Sequence, residues 1–157
     1  MASWPPQQQS VGWLLRKAIG VATVTFDISQ KKTAEGVDQF ETEQRGTGGL
    51  KGTTEVTTLD DTPRETEDYV FGRVKSSSRW IQTAEIADEF LKSGWEPAVL
   101  EGEVVLTTAE CAKVGWKSQT AWGFQVFDGK RYYTRRQVAT KGKDRVECVM
   151  PYDYKPK

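Results

Sequence analysis

The chain of 157 residues contains no histidine at all. A Ser/His or Cys/His nucleophilic site and a histidine-ligated zinc centre are therefore excluded, because each requires an imidazole. Asparagine is also absent, which removes every acceptor for N-linked glycosylation. Neither GxGxxG nor GxxxxGK followed by Ser or Thr occurs, so no standard nucleotide-phosphate loop is expected. No run approaches the roughly 18 apolar residues that a membrane span needs. The opening residues, Met1 to Gln9, have neither a charged segment nor an apolar stretch, so no secretory signal is expected and the chain reads as cytoplasmic. The two cysteines, Cys111 and Cys148, lie in separate predicted strands. Reduced, buried thiols are the expectation, with a disulfide as the alternative. Lysine plus arginine and aspartate plus glutamate both total 22, giving zero net charge. Without a basic stripe, nucleic acid is not an expected partner. Chemistry must then come from carboxylates, tyrosine, lysine, arginine, cysteine or the backbone, with neither metal nor another cofactor expected.

The residues that are present speak most clearly in the C-terminal third. Asp128-Gly129 is a two-residue hairpin signal, since both central positions of a type I′ turn need positive φ. It pairs Val126 with Arg131, Phe124 with Tyr133 and Trp122 with Arg135. A second turn around Gly142-Lys143 pairs Ala139 with Val146, Gln137 with Cys148 and Arg135 with Met150. Opposed residues share a face. One face thus carries Trp122, Phe124, Val126, Tyr133, Arg135, Gln137, Ala139, Val146, Cys148, Met150 and Tyr152. The other carries Gln125, Lys130, Arg136, Arg145, Glu147 and Asp153, the composition of a wetted surface. The first face is apolar enough for a core yet holds an arginine, a glutamine and two tyrosines. A buried guanidinium needs a carboxylate or a ligand, so this face is expected to line a cavity.

Upstream, residues 1–9 read as a flexible Pro/Gln-rich leader, and Ser10 caps a short helix over 11–19 that Gly20 stops. Alternating strands are expected over 20–30, 38–46, 52–59, 67–76 and 103–111, with one helix over 83–93. About eight strands without βαβ spacing predict an all-β, antiparallel up-and-down β-barrel filling residues 10–157 as one domain. Such a barrel has room inside for side chains or one small ligand. A β-sandwich is the competing architecture. The helix over 83–93, flanked by Trp80 and Trp95, is expected to cap or flank a mouth of the barrel.

Several segments carry a resemblance. These are Trp13-Leu-Leu-Arg-Lys-Ala-Ile, Gly48-Gly-Leu-Lys-Gly-Thr-Thr-Glu, Thr62-Pro-Arg-Glu-Thr-Glu-Asp, Phe71-Gly-Arg-Val-Lys, Trp122-Gly-Phe and Gly129-Lys-Arg-Tyr-Tyr-Thr-Arg-Arg. On these, the chain resembles small intracellular lipocalin-like (calycin) proteins of filamentous fungi, and the likeness covers most of its length. The resemblance implies binding of an apolar small molecule. It also implies cofactor-free isomerisation, cyclisation or a pericyclic step in secondary metabolism. Tyr133-Thr-Arg135 reverses the spacing of a fatty-acid carboxylate clamp, which argues against fatty acid as the ligand.

Candidate catalytic residues are Arg135, Tyr133, Glu110 and Arg73. Arg135 would clamp a carboxylate, enolate or carbonyl; structurally, it would pair with an inward carboxylate or cap carbonyls. Tyr133 and Tyr152 would donate to a substrate oxygen, or simply reach a backbone carbonyl from the core. Glu110, like Glu55, would partner an arginine or act as a general base; otherwise it is solvated. Arg73 shares strand parity with Tyr69 and Phe71, which join Trp122, Phe124, Tyr152, Met150, Cys148 and Gln137 as candidate ligand-binding residues. No metal ligands are expected. The expected partner is a hydrophobic small-molecule substrate or ligand, with a homodimer left open and no membrane association. A non-catalytic carrier and an interaction module with a filled barrel remain the alternatives.

Overall fold

The computed structural model describes residues 24–47, 52–68 and 71–156. They fall into two compact units, one ending at Asp61 and the other beginning at Thr62. The expected leader and the expected helix over 11–19 lie outside the described residues. The architecture is mostly β and antiparallel, as expected. Among the described residues, no helix is long and apolar enough to cross a membrane.

The first unit is a three-stranded sheet in the order β1 (Val24–Lys32), β2 (Asp38–Gly46) and β3 (Thr53–Thr58). Ile28 faces Thr42, and Phe40 faces Thr57, so these residues share one side with Phe26. Thr42 and Thr57 are buried there. The reverse side carries the exposed Lys31–Glu41 and Arg45–Glu43 ion pairs.

The second unit is a six-stranded sheet in sequence order. Its strands are β4 (Arg64–Asp68), β5 (Gly72–Gln82), β6 (Glu103–Cys111), β7 (Trp116–Phe127), β8 (Lys130–Lys141) and β9 (Asp144–Tyr152). The turn-derived register holds at each predicted pair, from Phe124 opposite Tyr133 to Arg135 opposite Met150. Asp128 at φ 49° and Gly129 at φ 76° supply the two positive angles that the tight hairpin needs. The expected strand over 67–76 is instead a hairpin, because Gly72 turns the chain at φ 79°.

Between β5 and β6 the expected single helix over 83–93 is broken into two pieces, and a third short helix lies beyond it. A 3₁₀ turn (Thr83–Glu85) ends where Ile86 is extended, and two short helices follow, α1 (Glu89–Lys92) and α2 (Pro97–Leu100). Asp88 caps α1, its Oδ1 accepting from the amides of Phe90 (3.0 Å) and Leu91 (3.3 Å). The same carboxylate takes both terminal nitrogens of Arg145, at 2.9 and 3.1 Å.

This helical segment lies on the side of the sheet opposite Arg135, not over the Arg135 face. Ile86, Leu91 and Trp95 pack against Ile81, Val104, Leu106, Ala121 and Val138, which all project from that opposite side. The reading of this side as wetted is therefore corrected for two residues. Arg136 is 8% exposed and Gln125 is 3% exposed. Arg136 donates from Nε to the Phe90 carbonyl (2.8 Å) and lies 4.2 Å from the Phe90 ring. Burial lowers its pKa, since desolvation disfavours the charged form. Gln125 donates to the Gly94 carbonyl. Among the described residues Arg136, not Arg135, is the arginine classed as buried, because a polar residue under a helical cover can reach its exposed backbone carbonyls.

Asp88 makes this cover sensitive to acid. The hydrogen bonds from Arg145 are the first cause holding its pKa below the usual carboxylate range. A depressed folded pKa adds stability above the unfolded value of about 4, lost as pH falls through the folded value. Asp88→Asn keeps a capping oxygen but not the charge. It should melt below the parent protein at pH 7, and the deficit should shrink at pH 3, as protonation begins to remove the charge from Asp88. An equal deficit at both values would show that charge is irrelevant here.

Candidate functional site

The Arg135 side of the second unit is layered by register. One row across the strands is Phe124, Tyr133 and Tyr152. The next is Trp80, Val105, Trp122, Arg135 and Met150. The guanidinium carbon of Arg135 sits 4.3 Å from the Trp122 ring and 5.9 Å from each of the Tyr133 and Tyr152 rings. Its Nε donates to the Tyr133 hydroxyl at 3.2 Å. Tyr133 and Tyr152 lie 5.6 Å apart, and Phe124 meets Tyr133 edge-on at 6.0 Å. The result is a cation held among three aromatic faces, each attracting it through its quadrupole.

Arg135 itself is half-buried, while Cys148 and Ala139 on the same side are buried and Phe124 and Val126 are exposed. Burial raises the pKa of Tyr133, opposed by the Arg135 charge beside it. Burial likewise raises that of Tyr152. Both phenols therefore remain protonated donors at neutral pH. A guanidinium and two phenols at one aromatic wall can hold an oxygen that gains negative charge while a flat apolar molecule lies against the rings.

The structure does not bring Glu110 or Arg73 to this place, whereas Met150 and Cys148 share its side of the sheet. Glu110 and Arg73 project from the opposite side of the sheet, as the pairings of Lys75 with Glu110 and of Glu67 with Arg73 require. Arg73 is exposed and lies 3.8 Å from the Glu65 carboxylate. Glu110 is exposed in a polar groove of about 530 Å³ that also involves Lys75, Asp88, Lys117 and Arg145. Phe71 packs edge-on against Trp116 at 5.4 Å, and its carbonyl accepts from the Cys111 thiol. Tyr69 lies outside the described residues, and Glu55 is exposed on β3 of the first unit. Both cysteines are free and buried, and burial raises the pKa of Cys148. Met150 accepts from the Tyr152 hydroxyl at 3.9 Å.

Two residues of this site were missed. Arg131 lies 3.8 Å from the Phe124 ring and donates three hydrogen bonds to the Glu96 carboxylate, at 2.7, 2.8 and 3.1 Å. Its parity with Tyr133 and Arg135 was the available signal. Thr120, opposite Gln137, had the same signal through Trp122.

The chain matches no protein-family model and no solved structure. It is 30% identical over 151 residues to a protein of Mollisia scopiformis named probable pericyclase scpY, covering 93% of this chain and 78% of that protein. It is 26% identical over 149 residues to pericyclase pydY of an Acremonium species, covering 93% of this chain and 80% of that one. With both relatives aligned over nearly its whole length, the chain belongs to the family of the fungal protein named probable pericyclase scpY.

Proposed function

We propose that this protein is a cofactor-free pericyclase acting on an apolar, oxygen-bearing small molecule in fungal secondary metabolism, in the cytoplasm. The observation that carries the reading is the guanidinium of Arg135 set among Trp122, Tyr133 and Tyr152. The names of the two relatives supply the reaction class. A concerted rearrangement needs no nucleophile. It needs a folded substrate conformation and donors where charge builds up, which together account for many kcal/mol of barrier. Trp122, Tyr152 and Phe124 form the wall, Arg135 and Tyr133 polarise the substrate oxygen, and a closed calycin-like barrel is the proposed setting.

The test uses an extract from a fungal strain lacking this gene. Purified protein, treated with chelator and dialysed, should convert an accumulated conjugated precursor to an isomer of equal mass with shorter-wavelength absorbance. Recovery of the precursor bound but unchanged would make the protein a carrier instead. Loss of conversion on chelation, restored by metal, would overturn the cofactor-free reading.

A further inference from the structure

We infer that Thr120 and Gln137 form a neutral hydrogen-bonding shelf that anchors an oxygen function of the substrate and sets which way the molecule lies against the Arg135 wall. This rests on the proposed function, and it adds residues that determine specificity rather than another charged group.

The two residues face each other across β7 and β8, in a row that runs Ser78, Thr107, Thr120, Gln137, Cys148. At one end the hydroxyls of Ser78 and Thr107 satisfy each other at 2.8 Å. In the middle, the Thr120 hydroxyl and the Gln137 amide have no side-chain hydrogen bond to any described residue. Both are half-buried. The following row contains Ser118 and Ala139, whose side chains are small and buried.

The chemistry of the row selects its occupant. Hydroxyl, amide and thiol are all uncharged, and burial keeps the Cys148 thiol protonated. Such a row offers both donors and acceptors to a neutral carbonyl or hydroxyl, but no counter-charge to a carboxylate. A molecule lying on Trp122 strips water from Thr120 and Gln137, and must replace those hydrogen bonds or lose affinity. Two residues of strand separate the shelf from the Arg135 row, roughly 7 Å. The occupant therefore presents one neutral oxygen about that far from the atom that Arg135 polarises, and the reversed orientation leaves the shelf unpaired.

Two fluorescent probes test this, diphenylhexatriene and its derivative with one para-hydroxymethyl group. The parent protein should bind the hydroxymethyl probe about tenfold more tightly than the hydrocarbon, the size of one well-made neutral hydrogen bond. Gln137→Leu combined with Thr120→Val should abolish that preference while hydrocarbon affinity stays within about twofold. Arg135→Met should retain the preference. Gln137→Met serves if the leucine variant melts early. A preference unchanged in the shelf variants overturns the shelf but leaves the ligand-binding reading standing. Failure of the parent protein to bind either probe overturns that reading as well.

Discussion

Arg135→Met is expected to lower turnover by about 10²–10³, the usual loss when one preorganised donor to a developing oxyanion is removed. Methionine keeps most of the volume and can still lie against Trp122, so the aromatic wall survives. What disappears is the charge 4.3 Å from the Trp122 ring and the donor to the Tyr133 hydroxyl. If the guanidinium acts mainly in the transition state, kcat carries the loss and KM moves little. Arg135→Lys should recover part of the rate but not all, because an ammonium keeps the charge without the planar fork or its stacking. A carrier behaves differently: the same change alters retention of an oxygenated ligand, and there is no rate to lose. A purely structural arginine gives a third pattern, a lower melting temperature with kcat preserved in the folded fraction. Full turnover at an unchanged melting temperature would remove Arg135 from the mechanism.

The contrast between Arg135 and Arg136 shows how much of this site the sequence could reveal. Two tight turns and a period of two were enough to set register from Trp122 to Tyr152, because a slip of one residue would reverse every side chain. That placed Trp122, Tyr133, Arg135 and Tyr152 together correctly. Parity separates two faces but does not say what covers each one. Gln125 and Arg136 look like surface residues until Gly94 and Phe90, about 31 and 46 residues upstream, lend their carbonyls. That pairing is long-range, and no local pattern announces it. Glu110 failed for a related reason. A carboxylate in a strand was read as a possible partner for an arginine, yet its parity places it beside Lys75 and Lys117, away from Arg135. The hairpin before Arg73 was missed because its turn lacks an Asn-Gly or Asp-Gly pair.

The largest stability loss should come from Trp95→Ala. Trp95 is 4% exposed, and its indole Nε1 donates to the Leu91 carbonyl at 2.8 Å, tying the segment after α1 back onto that helix. Its ring lies on the backbone of β7 at Gly123, where a Cβ would stand only 3.0 Å from the Trp95 Cζ3 atom. Glycine here removes a side chain so that an aromatic ring can take its place, a close approach that a strand otherwise forbids. Truncation to alanine empties that volume and leaves the Leu91 carbonyl short of a donor. A cost of about 3–5 kcal/mol follows, as for other buried large aromatics. For a chain of this size that corresponds to a melting temperature lower by roughly 10–15 °C. Trp80→Ala is the control: Trp80 is 37% exposed, and its removal should cost far less. Gly123 lies between Trp122 and Phe124, which face the other way, so β7 carries the helical cover on one side and the aromatic wall on the other. The Trp95 variant should therefore also loosen the wall. Its affinity for diphenylhexatriene should fall even at temperatures where it remains folded, whereas the Trp80 control should lose less stability than affinity. A Trp95→Ala protein melting within about 2 °C of the parent would mean that the helical segment is not the core of this unit.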